Sequence, residues 1–363
     1  MRRGGVLSAL LLTAALLLAA PGLLSGLRPA DENRMDVRLR PAQTRTMTLW
    51  LLSGSMGDEK LLSGLCTAFE KENPGLRVYL RRADPAELYA GEAVLPEAVL
   101  FTTGQVDSPQ RVFAPLAGQE GLGPDALVAG QFAGLQYALP LWCAPNVLSL
   151  PTDWLSPQEE QLATERPASY FGLTTPTPSP RAETLSWATA PWRKLFADGA
   201  LYVREGVCRQ QLLTVCPNTL RPELAAVKTA RSGQTPGIAR AWSLREHLAA
   251  VDRGEKLEAL PLLPAVSDQV RLIALPKASG DGLAFLKFLL RPELEPSVME
   301  AACLPLSKRG DGPTPLLREL RTVYQSGFLF PNAFAYARQE LEALCLDGWM
   351  RQAEPVETLL KLR

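Results

Sequence analysis

TMTLWLLSGSMGDEKLLSGLCTAFEKENPGLRVYLR, residues 46–81, decides the fold class. Met47, Leu49, Leu51 and Leu52 sit in an apolar run of strand length that ends in the polar turn Ser53-Gly54-Ser55. Asp58 then stands where a helix N-cap belongs, and Leu61, Leu62, Leu65, Cys66 and Phe69 recur with the period of one helix face. Asn73-Pro74-Gly75 stops that helix. Beyond it Leu76, Val78 and Leu80 alternate with Arg77, Tyr79 and Arg81, the period-two pattern of a strand with one polar face. Strand, helix, strand is the repeating unit of an α/β sheet.

Working outward, residues 98–101 form a third apolar run, closed by Thr102-Thr103-Gly104. Residues 137–140 read as a short extended piece, and 271–275 as another short strand. Between 151 and 191 seven prolines imply loops and extended segments, with TTPTPSP at 174–180 as a proline-rich linker. Ala284, Phe285, Phe288 and Leu289 mark a helix that ends at Arg291-Pro292, and helical patterning returns over 317–324 and 334–346. No internal repeat is present.

On the N-terminal side, Arg2 and Arg3 precede residues 4–27, which carry no charge and are dominated by Leu and Ala over 6–20. This is an export signal or an uncleaved anchor, and the flanking arginines place the remainder outside the membrane. Cleavage after Ala20 or Gly26 would put Leu three residues upstream, a poor signal-peptidase site, and no Cys is available for lipid attachment. Residues 28–45 read as a linker. The chain carries 38 basic and 38 acidic residues, which gives no electrostatic reason to expect nucleic acid. Six cysteines with no Cys-x-x-Cys pair, and the single His247, provide no common zinc set. Cys66, Cys303 and Cys345 are expected as buried thiols. Cys208 and Cys216, eight apart and flanking 210–215 like the arms of a hairpin, are a candidate disulfide.

Several fragments together resemble the extracellular solute-binding proteins of bacterial ABC importers, the sugar-binding class called family 1. They are Thr48-Leu49-Trp50, the Ser53-Gly54-Ser55 turn, and Phe69 through Pro74-Gly75 with Val78 after it. Pro96-Glu97-Ala98-Val99, Tyr137-Ala138-Leu139-Pro140, Ser232-Gly233-Gln234, the helix around Ala284-Phe285-Leu286, and Leu304-Pro305 follow in family order. The resemblance implies a two-lobe, periplasmic-binding-protein-like α/β fold with discontinuous lobes joined by a hinge. Lobe I would comprise 46–140 and 271–308, and lobe II 141–270 and 309–363. It also implies capture of a small-molecule solute, a sugar or oligosaccharide, by lobe closure, and delivery by a monomer to an ABC permease. The stretch after Pro140 lacks the family's usual Thr-Trp-Asp-Glu helix start, and 154–180 is shortened and rewritten. A membrane-tethered sensory or interaction protein that kept the fold is the alternative.

In α/β lobes ligands sit at the carboxyl ends of parallel strands. That rule nominates Ser53, Gly54 and Ser55 after the first strand, and Thr102, Thr103 and Gly104 after the third; the plain alternative is that both are connecting turns. Sugar rings pack their C–H faces on aromatic rings, which adds Trp50, Trp142, Tyr170 and Trp187. Core packing is the favoured reading for Trp50, and cleft wall and core stay equally open for Trp142. No nucleophile elbow, phosphate loop or metal-binding helix motif is present, and His247 in Arg245-Glu246-His247 reads as a solvated helix face. No catalytic residue, metal or cofactor is expected.

Overall fold

The computed structural model describes residues 45–53, 56–91, 94–117, 122, 124–152, 201–215, 221–226, 239–262, 265–276, 279–306, 316–318, 320–321 and 331–362. The apolar N-terminal segment, Gly54, Ser55, Tyr170, Trp187 and Cys216 lie outside them. No helix among the described residues is long and apolar enough to cross a membrane.

The opening stretch folds as its periodicity predicts: β1 (Arg45–Leu52), α1 (Glu59–Glu72) and β2 (Leu76–Ala83). The buried face of α1 is Leu62, Leu65, Cys66 and Phe69. In β2 the alternation is incomplete. Arg77, expected on the polar face, is buried because its Nη1 lies 3.0 Å from a Glu70 carboxylate oxygen. Next come β3 (Ala98–Thr102), α2 (Pro124–Val128), the small hairpin β4 (Gln131–Phe132) and β5 (Leu135–Gln136), β6 (Ala138–Cys143) and β7 (Asn146–Pro151). After these stand β8 (Leu201–Val203), α3 (Val207–Val215), α4 (Arg221–Ala226), β9 (Ala239–Ser243), α5 (Leu244–Asp252) and β10 (Leu257–Pro261). The chain closes with β11 (Val270–Ala274), α6 (Gly280–Leu289), α7 (Glu295–Glu300), β12 (Leu304–Pro305), α8 (Arg338–Met350) and α9 (Pro355–Leu360).

Two sheets organise these elements, one of six strands in the order β12-β6-β11-β3-β1-β2 and one of four in the order β10-β7-β9-β8. Contacts gather Met47–Phe69 with Val78–Arg363 into one compact unit; Glu70–Arg77 falls in a second, smaller one. β1 and β3 run parallel, with Leu49 beside Ala98 and Leu51 beside Leu100. β11 enters between β3 and β6, antiparallel to both. Every residue of β3, β6 and β11 is buried, which is why each is apolar but for Thr102 at the end of β3 and Arg271 in β11. Pro140 has no N–H for a ladder, and the register of β6 against β11 shifts there: Arg271 pairs with Trp142 but Leu272 with Pro140. Phe69 of α1 meets Phe285 and Phe288 of α6 at centroid distances of 5.1 and 5.2 Å.

The chain passes from the first sheet to the second between β6 and β7, through Ala144-Pro145, and returns before β11 through residues 265–269. The two passages are stitched together. The Ala144 N–H donates to the Gln269 carbonyl at 2.9 Å, and the Ser267 hydroxyl donates to the Ala144 carbonyl at 2.6 Å.

Three expectations are corrected. His247 is buried, its Nδ1 2.9 Å from the Ser149 hydroxyl, which also accepts from the Trp242 indole at 2.6 Å. Its neighbours in sequence are charged, but α5 turns Leu244, His247 and Ala250 inward. Cys208 is a free, buried thiol, as are Cys143, Cys303 and Cys345, and Cys66 is buried too. Residues 207–215 are helix, not the arms of a hairpin, and Cys216 lies outside the described residues. Burial pushes the Cys208 thiol up to about 12, leaving it protonated and unreactive at neutral pH. Finally, helix α8 begins at Arg338, four residues after the sequence pattern suggests. The Phe334 N–H is held by the Asn332 side chain at 2.9 Å and the Ala337 N–H by Glu340 at 3.0 Å.

Candidate functional site

Because β1 and β3 are parallel neighbours in register, their carboxyl ends emerge side by side, bringing Ser53 next to Thr102 and Gly104. Gln105 locks the two ends: its Oε1 accepts from the Thr102 N–H at 2.7 Å and its Nε2 donates to the Ser53 carbonyl. Arg271 of β11 pairs with Thr102, so the residues ahead of β11, Asp268 and Gln269, arrive at the same sheet edge. The fourth wall is the start of α8. Its Arg338 N–H donates to the Gly104 carbonyl at 3.1 Å, and the Gly104 N–H donates to the Ala333 carbonyl at 3.0 Å. Together these segments enclose a cavity of about 530 Å³, lined also by Met56, Pro85, Ala337 and Gln339. That size lies within the range that holds small organic ligands.

Gly104 permits this closure. Its φ is +82°, and a Cβ there would lie 2.7 Å from the Arg338 nitrogen and 3.1 Å from the Tyr336 carbonyl oxygen. Gly104→Ala is expected to cost about 1–3 kcal/mol, combining left-handed strain with a backbone clash. Gly134→Ala, at φ +78° with nothing within 4 Å, carries the strain alone, so about 1 kcal/mol. Urea melts of both variants check the prediction; equal losses would show that the Gly104–Arg338 contact is not tight.

Charge gathers at one side of the cavity. Asp268 is fully buried, with Oδ1 2.5 Å from Nη2 of Arg204 and Oδ2 3.0 Å from Nη2 of Arg338. Burial pushes the Asp268 carboxyl up, but the two guanidiniums outweigh it and hold the group below the usual aspartate value. Arg204 also donates to the Asn146 side-chain oxygen at 3.0 Å, and the Asn146 amide donates to Gln211 at 2.7 Å. Arg338 is a third exposed and donates through Nε to Glu342 at 2.7 Å. Gly206, at φ +81°, leaves room for Asp268: a Cβ there would come within 2.4 Å of Oδ2.

Of the residues nominated from sequence, Ser53, Thr102 and Gly104 line the cavity. Thr103 lies between two of them but is fully buried, its hydroxyl without a hydrogen-bond partner among the described residues. Trp50 and Trp142 are in the interior. Trp50 packs under Arg81, whose guanidinium carbon lies 5.1 Å from the ring centroid. Trp142 is 1% exposed, and its indole N–H donates to Asp58 at 2.9 Å. Gln105, Asp268, Gln269, Arg338 and Gln339 were not nominated. Adjacency to the Thr102-Thr103-Gly104 turn could have found Gln105; nothing local signals the others. No group of three or more potential metal ligands occurs among the described residues.

No family model and no curated protein matches the chain. Solved structures do. The galacto-N-biose/lacto-N-biose I-binding protein of an ABC transporter from Bifidobacterium longum aligns at 12% identity over 89% of this chain and 96% of that one, with TM-score 0.55. The apo form of RafE from Streptococcus pneumoniae aligns at 12% identity over 89% and 98%, with TM-score 0.54. The mannobiose-bound protein CpMnBP1 aligns at 14% identity over 88% and 99%, with TM-score 0.51. The fold is two-lobe and periplasmic-binding-protein-like. At these identities the likeness establishes architecture, and the site must be judged on its own residues.

Proposed function

We propose that this chain is an extracytoplasmic solute-binding protein that captures a small polar solute, a sugar or oligosaccharide, for an ABC-type permease. The observation that carries this reading is the cavity at the carboxyl ends of parallel β1 and β3, with hydroxyl, amide and guanidinium groups converging on it. Polyhydroxylated solutes need such paired donors and acceptors, and the cavity offers Ser53, Thr102, Gln105, Gln269, Gln339 and Arg338. The solved structures of this fold named above include proteins that bind galacto-N-biose, lacto-N-biose and mannobiose, which supports the same solute class here.

In this reading lobe I is built on the six-stranded sheet and lobe II on the four-stranded sheet, and the passages at Ala144-Pro145 and 265–269 are the hinge. The charge-free N-terminal segment behind Arg2 and Arg3 brings the protein, as a monomer, out of the cytoplasm, held on the outer face of the membrane or secreted. The role is binding without chemistry.

A thermal-shift screen against neutral saccharides, amino acids, polyamines and oxyanions tests it. A saccharide at a hundred-fold excess over its Kd is expected to stabilise the protein by about 2.7 kcal/mol, raising Tm by several degrees. The saccharide should be recovered unchanged after prolonged incubation. Stabilisation by another solute class alone, or conversion of the sugar to a smaller product, overturns the proposal.

A further inference from the structure

We infer that Arg338, neutralised by Asp268 and Glu342, makes the cavity select uncharged saccharides and reject their acidic counterparts; this rests on the solute-binding reading above. Among the described residues Arg338 is the one cationic side chain that lines the cavity. By itself a guanidinium there would invite a carboxylate, since its planar fork matches one in two-point contact. Its surroundings argue the reverse.

Two of the three nitrogens of the Arg338 guanidinium are already ion-paired with a carboxylate. Nη2 lies 3.0 Å from Oδ2 of Asp268, and Nε donates to Glu342 at 2.7 Å. Asp268 cannot swing away to make room, because Oδ1 is held by Arg204, whose side chain is 11% exposed and is itself tied to Asn146. The cluster therefore holds two guanidiniums and two carboxylates, formally neutral, in a partly desolvated setting. A solute carboxylate entering it would meet two fixed negative groups and would have to displace one of them from Arg338.

What Arg338 retains is hydrogen-bonding capacity without net charge. Nη1 makes one long contact, 3.4 Å, to the Asp268 main-chain carbonyl. Its N–H groups are thus placed to donate to the oxygens of neutral hydroxyls, beside the amides of Gln105, Gln269 and Gln339. The position of the group is set by the main chain, through the Arg338 N–H bond to Gly104. Glu342 lies one helical turn along α8, does not line the cavity, and is a third exposed. Removing its charge leaves the fold and the lining side chains in place while releasing positive charge at the cavity wall.

Isothermal calorimetry on the full-length protein in detergent micelles decides the matter, with lacto-N-biose and mannobiose as neutral probes, each paired with its uronate counterpart. Wild type is expected to bind the neutral member more tightly by about ten-fold or more. Glu342→Gln should tighten the uronates selectively and compress that ratio several-fold, with neutral affinities little changed. Arg338→Gln should weaken the neutral probes. A wild type that prefers uronates, or a Glu342→Gln ratio identical to wild type, overturns the inference and leaves the solute-binding reading standing. A purely structural role for the cluster would lower stability without moving the ratio. Failure of every probe to bind overturns the solute class and this inference with it.

Discussion

Arg271→Met is expected to cost about 3–5 kcal/mol, the scale for stripping a buried charge of its partner. Arg271 is the second residue of β11, among residues that are all buried, and is itself without solvent exposure. It is tolerated there because Asp58 takes it in two-point contact: Nη2 donates to Oδ1 at 2.6 Å and Nε to Oδ2 at 3.0 Å. The Trp142 indole completes the group. Burial pushes the Asp58 carboxyl up, but Arg271 and Trp142 outweigh it and leave it below the usual value, so Asp58 is ionised at neutral pH. With methionine at 271, that carboxylate stays buried with neutral donors only, the Trp142 indole and a backbone N–H. The double variant Asp58→Leu/Arg271→Met is expected to recover most of the loss, because two opposite buried charges leave together. Recovery stays incomplete, since the Trp142 N–H loses its acceptor, worth about 1–3 kcal/mol when left unpaired. Urea denaturation of the two variants checks the order. A double variant less stable than the single one contradicts this account of the pair.

Acid should weaken the protein through His247 before it reaches the carboxylates. Burial alone holds this imidazole down to about 4 from an ordinary 6.5. Above pH 6.5 folded and unfolded chains both carry it neutral, and it exerts no pH effect. Between pH 6.5 and about 4 the unfolded chain takes up a proton that the folded chain refuses, so stability falls with a slope approaching 1.36 kcal/mol per pH unit. Below about 4 both states are protonated, and the accumulated loss levels off near roughly 3 kcal/mol. Asp58 and Asp268, with lowered folded values, contribute stability above the ordinary aspartate pKa and lose it as pH falls through those values, a more acidic window. His247→Gln should flatten the profile from pH 7 to 4.5 while lowering the neutral-pH plateau. A wild-type urea midpoint constant over that range is incompatible with a neutral buried histidine.

The strand-helix-strand opening was legible because it depends on local periodicity: α1 buries Leu62, Leu65, Cys66 and Phe69 as their spacing demands. Half of the cavity was legible for a related reason. Strand ends and polar turns are local features, and the strand-end rule found Ser53, Thr102 and Gly104. The opposite wall was not, since Asp268, Gln269 and Arg338 reach the site only through sheet order and a returning chain. In sequence a lone Asp or Arg reads as surface, and nothing nearby reveals that Asp268 will face Arg204 and Arg338. The place of the tryptophans could not be decided locally for a different reason. An indole is amphipathic, so its place depends on whether a distant acceptor comes to its N–H. For Trp142 that acceptor is Asp58, a residue whose sequence position suggested a helix cap. His247 likewise looked exposed because its chain neighbours are charged, although α5 turns it inward to Ser149.

The insertion of β11 between β3 and β6 also has a consequence in time. During synthesis the nascent chain releases β1, β2, β3 and β6 early, but the strand that must separate β3 from β6 comes only after the whole of the four-stranded sheet has emerged. Until then the facing edges of β3 and β6, apolar along their length, have no ladder partner. Closing that gap joins strands distant in the chain, the slow kind of contact formation, and it leaves sticky edges open while the ribosome is still at work. The second sheet, by contrast, draws its strands from one continuous stretch, β7 to β10, and can finish without waiting. Maturation is therefore paced by the late arrival of Val270–Ala274, and a holdase that covers apolar strand edges has most to offer before those five residues dock.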